Sequence, residues 1–218
     1  MPSSAPAITL PLPADYPALL GRLDAWQEEV RTRFPGVVPC RTGCTACCHG
    51  PFDISVSDAL AVRDAVAGLP GPERGALVRR ARAQLDRMTA REPSFEFPWD
   101  VAALGEARFD ALVEAHAGDP CPALDSEGRC LIYSSRPMVC RIMGIGLLTG
   151  AGEAIENACP IRDDFPGYRE LPPQRFELEE WELLEAVAHR SAAVSLLGSA
   201  ESTGYETTVA GAALLVAP

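Results

Sequence analysis

The chain has 218 residues, 47% hydrophobic and 22% charged, enough for one sizeable domain with its own core and against wholesale disorder. Thirty acidic side chains outnumber 19 basic ones, and a net charge of -11 argues against nucleic acid or an anionic membrane surface as partner, since both need clustered cations. All 19 cations are arginine, which removes every lysine-based mechanism.

Residues 1–14, rich in Pro, Ser and Ala, read as a flexible N-terminal segment with neither the basic patch nor the apolar run of a signal peptide. From Asp15 to Phe34 the residues Leu19, Leu23, Trp26 and Val30 recur at helical spacing, and Pro35-Gly36 ends that helix. A cysteine-rich loop, Cys40 to Cys48, follows. Pro51 to Ser55 has the look of a short strand, after which Ser55 or Ser57 caps a helix with Ala59, Val62, Val66 and Leu69 on its inner face. Beyond a turn at Leu69-Pro70-Gly71-Pro72, Leu77, Ala81, Leu85 and Met88 define a second helical face. The stretch Glu92–Asp100, with Phe95, Phe97 and Trp99, reads as an ordered loop. Its default role is core packing, with covering a metal site or receiving a partner as alternatives.

A third helix is predicted over about Val101 to Ala117. The turn signal Asp125-Ser126-Glu127-Gly128 then suggests a hairpin carrying Cys121 and Cys130 on its arms. Ser135-Arg136-Pro137 opens a short helix, Leu147–Ile155 resembles another hairpin leading to Cys159, and the last long helix runs roughly from Phe176 to Leu197. The apolar stretch Val209–Pro218 reads as a terminal strand or a disordered end. There is no internal repeat and no alternation of strands with helices. The expected fold is mainly α: a single compact helical domain over residues 15–200 with small β-hairpins around a cysteine-rich metal site, and a C-terminal tail from 201 to 218. No stretch reaches the roughly 20 apolar residues of a membrane helix, and the expected compartment is the cytoplasm.

In a reducing compartment eight cysteines read as metal ligands or redox groups rather than as a disulfide framework. The first group is Cys40-Arg-Thr-Gly-Cys44-Thr-Ala-Cys47-Cys48-His49. Two residues between Cys44 and Cys47 let both sulfurs turn to one point, with Gly43 supplying backbone freedom. Adjacent side chains on an extended backbone point to opposite sides, so Cys47 and Cys48 suggest two neighbouring metals or bridging thiolates. Cys121, Cys130, Cys140 and Cys159 are spaced too loosely to define a site, but eight thiols suffice for two four-thiolate centres. The spacing of Cys40, Cys44 and Cys47 also occurs in radical S-adenosylmethionine enzymes, whose repeated strand–helix units this chain lacks. Arg136 and Arg141 flank Cys140 and would offset thiolate charge, unless they are ordinary surface or capping arginines. Tyr133 packs under the site or lines a pocket. His49 is a further candidate ligand, while His116 and His189 read as surface or core residues.

The first group, together with Cys121-Pro122, Cys130-Leu-Ile132-Tyr133 and Arg136-Pro137-Met-Val-Cys140-Arg141, resembles the bacterial YkgJ-type cysteine-cluster proteins, a domain described as zinc- or iron-chelating with a CxxCxxCC motif. The resemblance spans about Cys40 to Cys159; the gap from Cys40 to Cys44 is one residue longer than the motif's name implies. It implies that Cys40, Cys44, Cys47, Cys48, Cys121, Cys130, Cys140 and Cys159 all bind metal ions, with zinc, iron or an iron–sulfur cluster as the cofactor. A distant similarity to flagellin lysine N-methylases makes an iron–sulfur enzyme, methylase-like and protein-modifying, the alternative to a chelator, carrier or structural module. A thiol–disulfide redox sensor is a third reading. No protein partner is identified.

Overall fold

Local signals in the chain account for most of its helices. The computed structural model describes residues 15–41, 43–156 and 159–215; the N-terminal segment expected to be flexible lies outside them. Eight α-helices are found among the described residues: α1 (Tyr16–Arg33), α2 (Val56–Gly68), α3 (Gly71–Arg91), α4 (Val101–Leu104), α5 (Glu106–Ala115), α6 (Met138–Ile142), α7 (Leu178–Leu197) and α8 (Val209–Leu214). The expected mainly α fold is therefore observed. Among the described residues no helix is long and apolar enough to cross a membrane. The helix expected over Val101–Ala117 is broken in two, because Gly105 takes a φ of 91° that no continuous helix tolerates.

Strand β1 (Asp53–Ser55) pairs antiparallel with β5 (Glu206–Thr208), Asp53 opposite Thr208. Each of these strands runs directly into a capped helix. The Ser55 hydroxyl accepts from the Asp58 amide at 3.2 Å to start α2, and Thr208 accepts from the Gly211 amide at 3.1 Å to start α8. The expected hairpin at Leu147–Ile155 is β2 (Leu147–Leu148) against β3 (Ala154–Ile155), and β4 (Gln174–Arg175) adds a parallel partner to β2.

The main core lies where α2, α3, α7 and α8 meet. Val62, Val66, Leu77, Ala81, Leu85 and Met88 bury the predicted inner faces, joined by Phe95 and Trp99 from the aromatic loop. The C-terminal stretch set apart as a tail contributes Val209, Ala210, Ala212 and Ala213 to this same core. Its small residues let α8 lie close against α3. A second cluster joins Leu19, Leu20 and Leu23 of α1 to Trp181 and Ala188 of α7, and a third, smaller one gathers Val30, Val38 and Ile145.

Two carboxylates fix the segment that carries α6. Asp24 of α1 receives Arg136 Nη2 at 2.7 Å and also a close contact from Arg141 Nη1. Arg141, only 1% exposed, further donates to the carbonyls of Arg136 at 2.9 Å and Ser134 at 2.7 Å. Asp58 of α2 is buried beneath the start of α6. Its carboxylate accepts from the Tyr16 hydroxyl at 2.9 Å and from the Met138 amide at 3.2 Å. Burial pushes the Asp58 carboxyl up to about 7, assisted by the charge of Glu185 and opposed by the Tyr16 and Met138 hydrogen bonds and by Arg141.

Two outcomes are expected from this packing. A methyl group on Gly211 would stand 2.1 Å from the Thr207 hydroxyl oxygen and 3.5 Å from Trp99 Cβ. Gly211→Ala should therefore lose about 1–2 kcal/mol in urea unfolding, overpacking outweighing the gain in helix propensity. For Asp58, a folded pKa above the unfolded one means that the folded chain binds the proton more tightly. The stabilisation is fully present below about pH 4 and is lost as pH rises through about 7, with an upper magnitude on the order of 4 kcal/mol. In metal-free protein the Tm of the wild type should fall relative to that of Asp58→Asn between about pH 4.5 and 8. A pH-independent difference would show that Asp58 does not titrate in this window.

Candidate metal centre

The first cysteine group is a succession of turns rather than an extended strand. The Cys44 amide bonds the Arg41 carbonyl at 3.0 Å and the Cys48 amide bonds the Thr45 carbonyl at 2.9 Å. Gly43 sits between them with a φ of 87°, the backbone freedom expected of it. The turn overrides the expectation that Cys47 and Cys48 face opposite ways: both line one cavity, and the Cys47 thiol hydrogen-bonds Cys48. The inference of two metals from opposed side chains therefore loses its premise.

The second group is held against the first by backbone. The Cys121 amide donates to the Cys48 carbonyl at 2.9 Å, and the Gly50 amide donates to the Asp119 carbonyl at 2.7 Å. The expected hairpin is present, with Leu124 bridged to Cys130 and the Leu131 amide bonded to the Ala123 carbonyl at 2.9 Å. Its tip is pinned by Asp125 Oδ1, which accepts from the amides of Glu127 at 2.9 Å and Arg129 at 2.8 Å. Cys140 arrives on α6. Cys159 is buried, and its amide donates to the Tyr168 hydroxyl at 3.2 Å.

Seven cysteines, Cys40, Cys44, Cys47, Cys48, Cys121, Cys130 and Cys140, line one cavity of about 70 Å³. Phe52, Ala123, Ile132 and Val209 contribute apolar wall, and Arg41, Tyr133 and Arg136 are its other notable neighbours. No acid or histidine is among the lining residues. Cys159 stands just outside: a methyl group on Gly144 would lie 3.4 Å from Cys159 Cβ and 3.9 Å from Cys40 Cβ. All eight cysteines are free thiols. Among the described residues, no group of three or more His, Cys, Asp or Glu stands in an arrangement that could hold a metal ion.

Burial pushes the thiols of Cys40, Cys130, Cys140 and Cys159 above the usual range, and that of Cys121 up to about 11. Cys47 is raised first by its hydrogen bond to Cys48, then by burial and by the charge of Cys48. The charge of Cys47 acts on Cys40, Cys121, Cys140 and Cys159.

The two arginines around Cys140 divide their roles. Arg141 is spent on Asp24 and on backbone carbonyls and does not line the cavity. Arg136 lines it, stacks over the Tyr133 ring at 4.2 Å, and lowers the cost of a charged Cys40 or Cys130. His49 is exposed, bridged to Pro120 and away from the lining. His116 pairs with Asp119 at 3.1 Å and His189 with Ser57 at 2.7 Å. Phe95 and Trp99 of the aromatic loop belong to the core and the Tyr205 hydroxyl bonds the Pro98 carbonyl at 2.8 Å, whereas Phe97 is exposed, and none of the three aromatics lines the cavity.

Sequence reasoning missed Gln27. It is 2% exposed on the inner face of α1, its side-chain Nε2 makes no hydrogen bond of ordinary length, and its amide interacts loosely with the Cys40 thiol. A signal was present: Gln27 stands four residues after Leu23 and three before Val30, a polar residue in an apolar stripe. A buried amide donor beside a cysteine, and a cavity whose metal-ligating side chains are all thiols, both fit a soft or borderline cation with thiolate ligands.

No curated protein and no solved structure matches the chain, so the similarity to flagellin lysine N-methylases gains no support from relatives. A family model does match, over residues 39–160, more than half of the chain, and it takes in all eight cysteines. The chain thus belongs to the CxxCxxCC family, described as a "putative zinc- or iron-chelating domain".

Proposed function

We propose that the eight cysteines bind zinc or iron as a thiolate centre of more than one ion, and that holding metal is the activity of this domain. The observation that carries the reading is the convergence of seven thiols from three separate segments on one cavity free of acids and histidines. A tetrahedral ion takes four thiolates, so eight exceed the need of one ion. Cys47 is the natural bridging ligand, because its charge acts on Cys40, Cys121, Cys140 and Cys159. Cys48 lies beside the bridge. The thiols must close inward on an ion, and the glycine-bearing turn of the first group is the part with freedom to do so. Zinc, or iron with or without sulfide, would supply the positive charge that makes a cluster of buried thiolates tenable. Free thiols suit a reducing compartment, and we place the protein in the cytoplasm.

Elemental analysis with an absorption spectrum, on protein purified without oxygen, tests the proposal. Two or more ions per chain are expected; a single ion would overturn the polynuclear arrangement, and none would overturn chelation. A colourless zinc protein and a brown one with acid-labile sulfide are distinguished in the same sample. Cys47→Ser should lose at least one ion per chain while its far-ultraviolet circular dichroism stays that of a helical protein. Because burial raises most of these thiols, each must release a proton to bind. Zinc affinity should therefore climb steeply from about pH 6 to 8, as competition with a chromophoric chelator would show. A flat profile would mean that thiolates are not the ligands.

A further inference from the structure

We infer that the Gln27 side-chain amide donates a hydrogen bond to the Cys40 sulfur once that sulfur is a metal-bound thiolate, making Gln27 a positioning residue of the centre. The inference rests on the chelation reading above and adds a residue that no cysteine motif contains. Gln27 is 2% exposed on the turn of α1 whose neighbours Trp26 and Val30 pack in one cluster with Cys40, yet its Nε2 makes no hydrogen bond of ordinary length. A buried amide donor without a full hydrogen bond is costly and needs a reason. The Cys40 thiol supplies one. A protonated thiol is a weak acceptor, whereas a thiolate is a strong one, and the presence of Gln27 favours the charged form of Cys40. A contact that is loose with the thiol is therefore one that metal binding would tighten into a full hydrogen bond.

The next turn of α1 holds the same residue from its other end. Arg31, four positions after Gln27, donates Nη1 to the Cys40 carbonyl at 3.0 Å and is itself steadied by Glu28 at 2.6 Å. Cys40 is thus gripped by α1 at its backbone and offered a donor at its sulfur, while its side chain packs on the Val30–Val38–Ile145 cluster. Ligand orientation by a neighbouring hydrogen bond is the usual device by which a protein tunes a metal site. Here it would come from a helix whose remaining inner face is hydrophobic core.

The test compares full-length wild type, Gln27→Leu and Gln27→Glu by zinc competition with a chromophoric chelator, by the thiolate-to-metal charge-transfer band of the cobalt-substituted protein, and by thermal unfolding without metal. Gln27→Leu removes the buried donor at similar volume. Metal-free Gln27→Leu should melt no lower than wild type, while its zinc affinity falls about tenfold or more and the cobalt band shifts to lower energy. Gln27→Glu, which places a carboxylate against the thiolate, should lose at least as much affinity. Wild-type affinity and an unshifted band in Gln27→Leu would overturn the inference while leaving chelation intact. A lowered melting temperature in metal-free Gln27→Leu, or failure of both variants to fold, would mark the amide as structural and also overturn it. If wild type itself bound neither zinc nor cobalt, the chelation reading would fall and this inference with it.

Discussion

The cysteine cavity depends on two acids that do not line it. The segment from Tyr133 to Ile142 brings Cys140 and Arg136 to the site, and it packs only Met138 and Ile142, both partly buried, on the second cluster. Asp24 on α1 collects Arg136 and Arg141, and Asp58 on α2 collects the first amide of α6. Both acids sit on helices fixed by packing, α1 in the second cluster and α2 in the main core. Ionic and hydrogen-bonded attachment thus adds to the little apolar packing by which this short segment is fixed to the helices. Arg141 is almost wholly buried, and its charge is tenable because a carboxylate and several carbonyls surround it.

The same principle governs the thiols. Apolar wall from Phe52, Ile132 and Val209 excludes water and holds most of the sulfurs in the neutral form. That environment is unfavourable to eight separate thiolates and favourable to thiolates shared with a cation. A desolvated cavity with soft donors and no carboxylate is a poor place for calcium or magnesium, which need oxygen ligands. The charge that a metal centre would carry is partly answered by Arg136, held over Tyr133 at the cavity wall.

Part of this was legible in the residues themselves. The helices were, because apolar spacing at Leu77, Ala81, Leu85 and Met88 or at Ala59, Val62 and Val66 is a local signal that burial then satisfied. So were the two hairpins, because their turns are local: Asp125 caps its own turn through backbone amides two and four residues on. The expected single helix across Gly105 failed for the opposite reason, since periodicity continued through a residue whose φ did not. Val209–Leu214 was illegible because its small apolar residues gain a preferred structure only against α3.

The sequence by itself determined most of the secondary elements, which depend on residues near one another in the chain, together with the eight thiols and the family to which their spacing belongs. Tertiary structure alone decided that seven of those thiols share a cavity, that Cys47 and Cys48 both line it, and that Cys159 and Cys40 both stand beside Gly144. It also decided that Asp24, Asp58 and Gln27, ordinary surface types by composition, are the groups that hold or face the site. Burial and pairing across more than a hundred residues, as between Asp24 and Arg141, are set by packing of whole helices, and no local spacing encodes them.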